Sequence, residues 1–391
     1  MIPVLSQRPG LSALPPLSLY VHFPWCVRKC PYCDFNSHEA RNGFDETGYI
    51  DALLADLESA LPLIWGRPVH TVFMGGGTPS LFSPEAIDRL LAGLRARLRL
   101  LPEAEITLEA NPGTVEAAKF QGYRAAGVNR LSLGIQSFNP RHLKAIGRIH
   151  DDGEARRAAE LAAETFDTFN LDLMFALPGQ TLAEAIEDVE TALSFAPTHL
   201  SCYHLTLEPN TYFSRYPPEL PDDDLAAEMQ EAIESRLARA GFDHYETSAY
   251  AKPGHRARHN LNYWAFGDYL GIGAGAHGKL SFHDRIVRQA RYKQPAAYLK
   301  GVAAAQPSQT ETVVSEAELP FEFMLNALRL TEGVPTELFT ERTGLGIGTI
   351  ARQIESAVAQ GLLDADPRWL RPTPLGRRFL NRLMQVFLPD D

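Results

Sequence analysis

The chain has 391 residues, enough for a large α/β barrel with an appended domain or for two to three ordinary domains. Hydrophobic residues make up 45% of it and charged residues 22%, which permits a full core and argues against wholesale disorder. The net charge of −11 argues against a general nucleic-acid-binding protein, which needs an excess of basic side chains. No apolar run is long enough to span a bilayer, and the proline-broken N-terminus lacks a signal-peptide pattern, so we expect a cytoplasmic protein.

Apolar, β-branched runs recur along the chain up to residue 209, and each is followed by a stretch with helical periodicity. The predicted strands cover residues 18–24, 69–74, 105–110, 129–138, 169–178 and 199–209. Amphipathic segments at 84–98 and 153–166 are typical of the helices between them. Continuous apolar strands that alternate with helices indicate a parallel sheet with both faces covered. Six such units predict an α/β fold, a parallel partial (β/α)6 barrel of TIM type.

Three of the four cysteines, Cys26, Cys30 and Cys33, lie within eight residues with the spacing C-x3-C-x2-C. Clustered thiols without a disulfide framework indicate metal or redox chemistry in a reducing compartment. A structural zinc ion needs four protein ligands, and only His38 or the distant Cys202 is left to be the fourth. Three thiolates from one tight loop fit a [4Fe–4S] cluster in which one iron has no protein ligand. Zinc is the alternative, and Cys202 is expected to be a buried apolar residue in strand six.

The segments at the ends of the other predicted strands carry polar and glycine-rich motifs. Strand two leads to GGGTP (75–79), strand three to EANPG (109–113) and strand four to GIQSF (134–138), while strand five carries Asp172. In a βα barrel, catalytic and binding groups gather at the carboxyl ends of the strands. Glycine and proline by themselves mark only turns. Five such segments at the same relative position, the cysteine loop included, predict one functional face.

Beyond residue 220 the alternation of strands and helices ends. A Pro- and Asp-rich connection, PPELPDDD (217–224), leads to a helix up to about residue 240 and then to glycine-rich segments. The last block is predicted to form helices followed by two short strands, as in a winged helix. Residues 331–391 hold seven Arg, no Lys and eight Asp or Glu, which favours packing or substrate covering over DNA binding. The predicted divisions are an N-terminal extension (1–17), the barrel (18–220), an extension (221–319) and a C-terminal, mainly helical, winged-helix-like domain (320–391).

The segment CVRKCPYC resembles the C-x3-C-x2-C signature of the radical S-adenosylmethionine (SAM) superfamily. The resemblance runs from about residue 18 to 385, through YVHFPWC, CPYCDFNSH, FMGGGTPS, EANPGT, LSLGIQSF, GRIH, NLDLMFALPGQT, YETSAYAKPG and HNLNYW. These segments are similar to the branch of the oxygen-independent coproporphyrinogen III oxidases and the related haem chaperones. The resemblance implies a barrel of radical SAM type, with a [4Fe–4S] cluster on the three cysteines. It also implies that SAM binds the open iron through its amino and carboxylate groups and is cleaved to a 5′-deoxyadenosyl radical.

The same resemblance implies a set of SAM contacts, most of them at strand ends. By similarity they are Tyr20, Tyr32, Gly76, Gly77, Thr78, Glu109, Gln136, Arg148 and Asp172. The glycines are expected to let backbone groups face the methionine amino group with no Cβ in the way. Arg148 is expected to pair with a carboxylate. Glu109 and Asp172 are expected to contact the ribose hydroxyls or the surroundings of the sulfonium.

Two departures separate this chain from the oxidases of that branch. The oxidases carry a further cysteine, C-x3-C-x2-C-x-C, where this chain has Phe35, and a longer N-terminal segment, where this chain has 19 residues before Tyr20. Both favour a haem chaperone, which binds haem and transfers it to acceptor proteins, without coproporphyrinogen oxidase activity. The alternative is oxidative decarboxylation of coproporphyrinogen in haem biosynthesis. The negative net charge disfavours a third candidate, a radical SAM enzyme that modifies tRNA. The sequence leaves open whether SAM is cleaved in turnover.

The segment HNLNYW (259–264) matches the H-N-x-x-Y-W motif of the haem-chaperone members. His259 is the expected axial ligand of haem iron, and Tyr263 and Trp264 are expected to lie along the porphyrin face. Because the motif follows strand six, we expect it near the open end of the barrel, within reach of SAM. The expected ligands are thus a [4Fe–4S] cluster, SAM and haem, and the expected partners are haem-accepting proteins and no nucleic acid. The sequence also leaves room for a homodimer and for peripheral membrane contact through acceptors.

Overall fold

The computed structural model describes residues 10–41, 43–114 and 116–389, so the first nine residues of the predicted N-terminal extension lie outside it. The strands are β1 (Leu17–Phe23), β2 (Trp25–Cys26), β3 (His38–Glu39), β4 (Pro68–Gly76), β5 (Arg99–Ala110), β6 (Arg130–Gln136), β7 (Phe169–Phe175), β8 (His199–His204), β9 (Asp243–Glu246), β10 (Ala249–Ala251), β11 (Asp268–Ile272), β12 (His277–Ser281), β13 (Ile286–Arg291), β14 (Ser308–Val313), β15 (Val334–Pro335) and β16 (Trp369–Leu370). The helices are α1 (Glu46–Ile64), α2 (Pro84–Arg97), α3 (Ala117–Ala126), α4 (Pro140–Ala145), α5 (Asp152–Thr165), α6 (Leu182–Ser194), α7 (Tyr212–Arg215), α8 (Asp223–Arg239), α9 (Arg258–Trp264), α10 (Pro295–Ala303), α11 (Leu319–Ala327), α12 (Glu337–Thr343), α13 (Ala351–Ala359), α14 (Pro374–Arg378) and α15 (Leu380–Gln385).

Twelve of these strands form one sheet, in the order β14-β13-β12-β11-β1-β4-β5-β6-β7-β8-β10-β9. Neighbours from β11 through β8 are parallel. Antiparallel strands extend the sheet at both edges. Among the described strands, the two edge strands β14 and β9 do not pair with each other, so the barrel is open. The predicted α/β fold with a parallel partial barrel is confirmed, and the six predicted strands correspond to β1 and β4 to β8.

Side chains alternate along each barrel strand between the helical layer and the barrel interior. In β7, Leu171 and Leu173 belong to the main apolar core under the helices. Asp172 lies between these two leucines and Asn170 directly before them, and both face the interior. The Asn170 amide donates to the Asp172 carboxylate at 2.8 Å. The interior of this barrel is therefore lined by many polar groups, which need partners or a ligand.

The chain beyond β8 divides between the barrel sheet and a second core. Strands β11 to β14 continue the barrel sheet. Helices α11, α12, α13 and α15 pack in a second apolar core, to which Phe266 and Ile286 of the preceding extension also belong. Strand β15 pairs with β16, and an isolated bridge joins Leu363 to Pro372. The divisions at residues 220 and 319 stay predictions. Within the described ranges, no helix combines the length and apolar character needed to cross a membrane.

Candidate functional site

The cysteine loop follows β1, and a distant glycine-rich segment fixes it in place. His22 Nε2 lies 2.8 Å from the carbonyl oxygen of Asn36. The Asn36 side-chain amide donates to the carbonyl oxygens of Ala274 and Lys293, both at 2.9 Å. Gly275 has a φ of 85°, and a Cβ there would lie 2.1 Å from the Asn36 amide nitrogen. Glycine is needed at this position both for the left-handed backbone and for the close approach.

Each thiol of the loop contacts one polar side chain. The contacts are Thr78 Oγ1 to Cys26 Sγ at 3.4 Å, Arg148 Nη1 to Cys30 Sγ at 3.7 Å, and Ser37 Oγ to Cys33 Sγ at 3.8 Å. The three cysteines are half-buried and unpaired. Burial raises the pKa of the Cys26 and Cys33 thiols, and a bound metal would favour their thiolate forms. The surrounding donors suit sulfur atoms that carry negative charge.

Three thiols from one loop are the donor set expected of a cubane cluster with one open iron. In the parts of the chain that the structure covers, no three His, Cys, Asp or Glu side chains converge closely enough to hold one metal ion. Tetrahedral zinc, with bonds of about 2.3 Å to sulfur, would bring its thiolate ligands to within roughly 4 Å of each other. The ligands of a cubane bind different iron atoms and lie farther apart. The zinc alternative also loses its distant fourth ligand, because Cys202 is buried in the apolar core as expected.

The glycine motif at the end of β4 packs directly against the start of the cysteine loop. The Gly77 N–H donates to the carbonyl oxygen of Phe23 at 2.6 Å, and the Thr78 N–H donates to that of Trp25 at 2.7 Å. A Cβ on Gly77 would lie 2.6 Å from the Trp25 oxygen. Gly76 has a φ of 108°. These N–H groups are engaged within the protein, so the carbonyl oxygens are the groups left to accept from the ammonium of a ligand.

Two carboxyl groups, Glu109 and Asp172, lie in the interior at the level of this turn. Glu109 Oε2 accepts from the Gly76 N–H at 3.1 Å. Burial first, and then repulsion by Asp172, raises the pKa of Glu109 to about 7. Asn170 and Ser132 donate to the Asp172 carboxylate at 2.8 and 3.4 Å, and burial raises its pKa. Two carboxyl groups with raised pKa values favour a ligand that brings hydroxyl donors or positive charge.

Arg148 connects β6 with the cysteine loop. Its Nη2 donates to the carbonyl oxygen of Gly134 at 2.6 Å, and its Nη1 lies 3.7 Å from the Cys30 sulfur. Its buried Nε has no hydrogen-bond partner among the residues included in the structure. A buried guanidinium with one donor unused fits an anionic group of a ligand.

Gln136 lies at the end of β6. It has a φ of 70°, which is a strained backbone for a residue with a Cβ.

Aromatic and imidazole groups also line the interior, and some of them were absent from the sequence-based set. Tyr20 OH lies 2.9 Å from His22 Nδ1, and burial raises the pKa of Tyr20 well above its usual value. Tyr32 packs against Ile146 and other apolar residues below the loop. Tyr203 is 43% exposed and faces a concave lumen, where burial and the Asp172 charge raise its pKa. The two-residue alternation along β1 and β8 is the signal that marks His22 and Tyr203 as lumen residues.

The expected position of HNLNYW near the open end of the barrel is wrong. Helix α9 lies at the opposite, amino-terminal end of the strands, where Glu105 accepts from the His259 backbone N–H at 3.0 Å. His259 is 1% exposed, and its ring stacks on that of Phe73 with 5.0 Å between centroids. Its Nδ1 bonds to Thr71 Oγ1 at 2.7 Å and its Nε2 bonds to Tyr263 OH at 2.9 Å. Burial lowers the pKa of His259 to about 3. In this conformation neither ring nitrogen is free to bind iron.

The two aromatic residues of the motif face different parts of the protein. Tyr263 lies edge-on to Tyr269, with 4.4 Å between ring centroids. Trp264 packs against the C-terminal core, with the Arg329 guanidinium 4.4 Å from its ring centroid. They therefore do not present one common face to a porphyrin. Arg256, a neighbouring cation, forms an ion pair with a glutamate at 2.7 Å.

Residues 20–192 match the Radical SAM superfamily, and residues 314–379 match the HemN C-terminal domain. Over 96% of its length the chain is 50% identical to the heme chaperone HemW of Escherichia coli (strain K12), of which it covers 99%. It is 48% identical to the heme chaperone HemW of Haemophilus influenzae, over 97% of this chain and 100% of that protein. The chain belongs to the HemW family.

A HemW-family chain shares its fold with an enzyme of different activity. The solved structure of coproporphyrinogen III oxidase (HemN) from Escherichia coli, a radical SAM enzyme, matches with a TM-score of 0.81. The match covers 98% of this chain and 91% of that one, at 22% identity, and so shows the fold alone. HemW membership favours the haem-chaperone prediction over the oxidase alternative. Membership of the radical SAM superfamily implies a [4Fe–4S] cluster and SAM.

Proposed function

We propose that this protein is a haem chaperone that carries a [4Fe–4S] cluster on Cys26, Cys30 and Cys33. The observation that carries the proposal is the cysteine loop itself. It offers three unpaired thiols, each beside a polar side chain, and has Phe35 in place of a fourth cysteine. The names of the HemW relatives support the transfer of haem to acceptor proteins as the cellular role.

SAM is proposed to bind in the lumen, at the carboxyl ends of the strands. The carbonyl oxygens of the turn at Gly76, Gly77 and Thr78 suit its ammonium group, and Arg148 suits its carboxylate. Glu109 and Asp172 suit hydroxyl donors. The remaining proposed contacts are Tyr20, Tyr32 and Gln136. Held by Cys26, Cys30 and Cys33, the cluster would supply an electron to SAM, and the residues named here would hold and orient SAM.

Two parallel assays, one of haem transfer and one of coproporphyrinogen oxidation, distinguish the haem chaperone from the oxidase. Cluster-loaded protein is incubated without oxygen with haem and an apo-acceptor, and in parallel with coproporphyrinogen, SAM and a reductant. We expect haem to reach the acceptor and no protoporphyrinogen to form. Formation of protoporphyrinogen in repeated turnovers would show the oxidase activity instead.

His259, Tyr263 and Trp264 stay the predicted haem residues, although the present conformation does not fit that role. Iron ligation by His259 would require the loss of one of its two hydrogen bonds, that of Nδ1 to Thr71 or that of Nε2 to Tyr263. Haem titration of wild type and His259→Ala, followed by the Soret band, tests the prediction. Identical spectra and affinities would remove His259 from the haem site.

The setting of this function is proposed to be the cytoplasm, since unpaired thiols need a reducing compartment. Haem-accepting proteins are the proposed partners, with contact to a membrane only through acceptors that reside there. A homodimer is a further proposal, and its test is the mass of the cluster-loaded protein in solution at several concentrations, with and without haem.

A further inference from the structure

A buried arginine in the interior of the barrel has no bonded counter-charge. Arg130, the first residue of β6, is 3% exposed. Its Nε has no hydrogen-bond partner, and its guanidinium takes part in none of the ion pairs between described residues. Arg291 is equally buried, at 3% exposed, but donates to the Asp56 carboxylate at 2.9 Å. Because a charge that is taken out of water without a partner is costly to bury, Arg130 is the exception that needs a physical reason.

A second polar group without a partner lies beside Arg130 on the neighbouring strand. Parallel pairing sets Thr107 of β5 opposite Arg130. The residues that flank these two along their strands belong to the core under the helices, so both side chains face the barrel interior. Thr107 is completely buried, and its hydroxyl has no hydrogen-bond partner in the part of the chain that the structure describes. A guanidinium and a hydroxyl, both without partners, therefore lie side by side.

The open interior of the barrel reaches down to the level of these two residues. Phe73 of β4 pairs with Thr107 in the sheet, and it is half-buried although its ring lies inside the barrel. The ring of His259 stacks on the Phe73 ring and closes the barrel beneath it. Phe73, Thr107 and Arg130 are called the lumen floor below. A ligand inside the barrel can therefore lie on the lumen floor, below the level of Glu109.

The titratable groups near Arg130 do not neutralise it by direct contact. Its charge acts on four of them, namely Asp172, His199, Tyr245 and His259. Burial first, and then the charge of Arg130, lowers the pKa of both histidines, so both rings are neutral. The Asp172 oxygens accept from Asn170 and Ser132. The Glu105 carboxylate, also on β5, accepts from the first backbone N–H groups of α9.

We propose that the lumen floor binds a small monoanion, held by the Arg130 guanidinium and the Thr107 hydroxyl. The inference goes beyond the proposed function and does not depend on it, because it adds a second ligand below the proposed SAM site. A guanidinium offers paired donors to a carboxylate and single donors to a halide, and the hydroxyl adds one more donor.

The charge near the site limits the ligand to one negative charge. Asp172 is close enough for Arg130 to act on its pKa, so a dianion on the lumen floor would be repelled by the Asp172 carboxylate. The enclosed position excludes large ions. The chemical class is therefore a halide or the carboxylate of a small organic acid, and sulfate and phosphate lie outside it.

The first test is denaturant unfolding of full-length, cluster-loaded protein without oxygen and without SAM. Sodium chloride, sodium formate or sodium sulfate replaces sodium gluconate, a salt of a large anion, at constant ionic strength. We expect the midpoint of wild type to rise and saturate with chloride or formate, as binding to one site of the folded state requires. Arg130→Met should show no saturable rise, and Thr107→Val should need about fivefold more anion.

The same titrations identify the anion and can refute the site. Tighter binding of chloride assigns an inorganic ion, and tighter binding of formate assigns the carboxylate of a small organic ligand. Saturable binding of sulfate with similar affinity would overturn the assignment to a monoanion. A wild-type midpoint that responds to neither chloride nor formate, or that responds as Arg130→Met does, would overturn the inference as a whole.

The second test compares the two equally buried arginines in gluconate alone. Arg291→Met leaves the Asp56 carboxylate buried without its partner, so we expect the unfolding midpoint to fall. Arg130→Met removes a charge that has no bonded partner, so the midpoint should stay unchanged or rise. A fall as large as that of Arg291→Met would mean that the protein itself stabilises Arg130, and would contradict the proposed site.

A crystallographic readout does not depend on the stability of any variant. Wild-type crystals are soaked in sodium bromide, which is located by its anomalous signal, and separately in sodium formate. We expect one of the two anions in contact with the Arg130 guanidinium. If neither anion lies there, the inference fails, whatever the unfolding measurements show.

Discussion

The two ends of the barrel interior are both polar, but only one of them is open to a ligand. At the carboxyl end, Glu109 and Asp172 have raised pKa values and Arg148 has a buried Nε without a partner in the residues described. At the amino end, both ring nitrogens of His259 are bonded to side chains, and Asn262 donates to Ser18 at 2.9 Å and to a backbone oxygen at 2.8 Å. The first arrangement suits ligand binding. The second closes the barrel, as a satisfied buried network does.

Removal of the cysteine ligands should produce the largest difference between the two ends. We expect wild type, purified anaerobically, to be brown and to hold about four irons per chain. The triple variant Cys26→Ala/Cys30→Ala/Cys33→Ala should be colourless and close to iron-free. Cys202→Ala, which changes a buried thiol in the core, is the matched control and should retain the iron. Loss of iron from that control would contradict the ligand assignment.

The closed end should respond to substitution through stability rather than through iron. His259→Ala leaves a cavity and removes the partner of the Tyr263 hydroxyl, so we expect a loss of about 2–4 kcal/mol in the free energy of unfolding. Denaturant unfolding measures it, with iron content as the second readout. His204→Ala, at the open end, removes an exposed imidazole and should cost no more than about 0.5 kcal/mol. Equal losses for the two variants would refute the difference between the ends.

The pH dependence of stability should have opposite signs at the two ends. The pKa of Glu109 is raised from 4.5 to about 7, so its neutral form is favoured in the folded state and stability falls as pH rises between these values. The pKa of His259 is lowered from 6.5 to about 3, so stability falls as pH drops through that range. Without SAM, Glu109→Gln should stabilise the protein by up to about 3 kcal/mol at pH 8 and not at pH 4. Denaturation midpoints at the two pH values provide the test, and a pH-independent effect would exclude ionisation as its cause.

Removal of a single hydrogen bond to a cluster ligand should have the smallest effect on the retention of iron. Thr78→Val removes the donor at 3.4 Å from the Cys26 sulfur, and we expect iron to be lost to a chelator about tenfold more readily. Thr71→Val makes the same change at the closed end, beside His259. That control should lower stability and leave the rate of iron loss unchanged. A faster loss of iron from both variants would mean that general destabilisation, and not the contact with sulfur, controls it.

The sequence predicted the barrel and the open end of the site well, for a local physical reason. Strand and helix periodicity is a property of neighbouring residues, and the carboxyl ends of parallel strands fall on one face of a barrel by topology. The cysteine loop, the turn at Gly76 and Gly77, Glu109 and Asp172 therefore appear where the motifs predicted them. Tyr203 and His22 were missed, although the two-residue alternation along their strands carried the signal.

What the sequence by itself determined is the α/β barrel, the three clustered thiols and the polar strand ends that gather around them. Only the tertiary structure decided where HNLNYW lies, because a segment outside the strand–helix repeat can pack against either end of the barrel. It packs where Glu105, Thr71 and Ser18 satisfy its polar groups. The glycine-rich segment at Gly275 likewise acquires its role only when Asn36 is brought against it. Contacts between residues far apart in the chain depend on the packing of whole elements, and no local pattern encodes them.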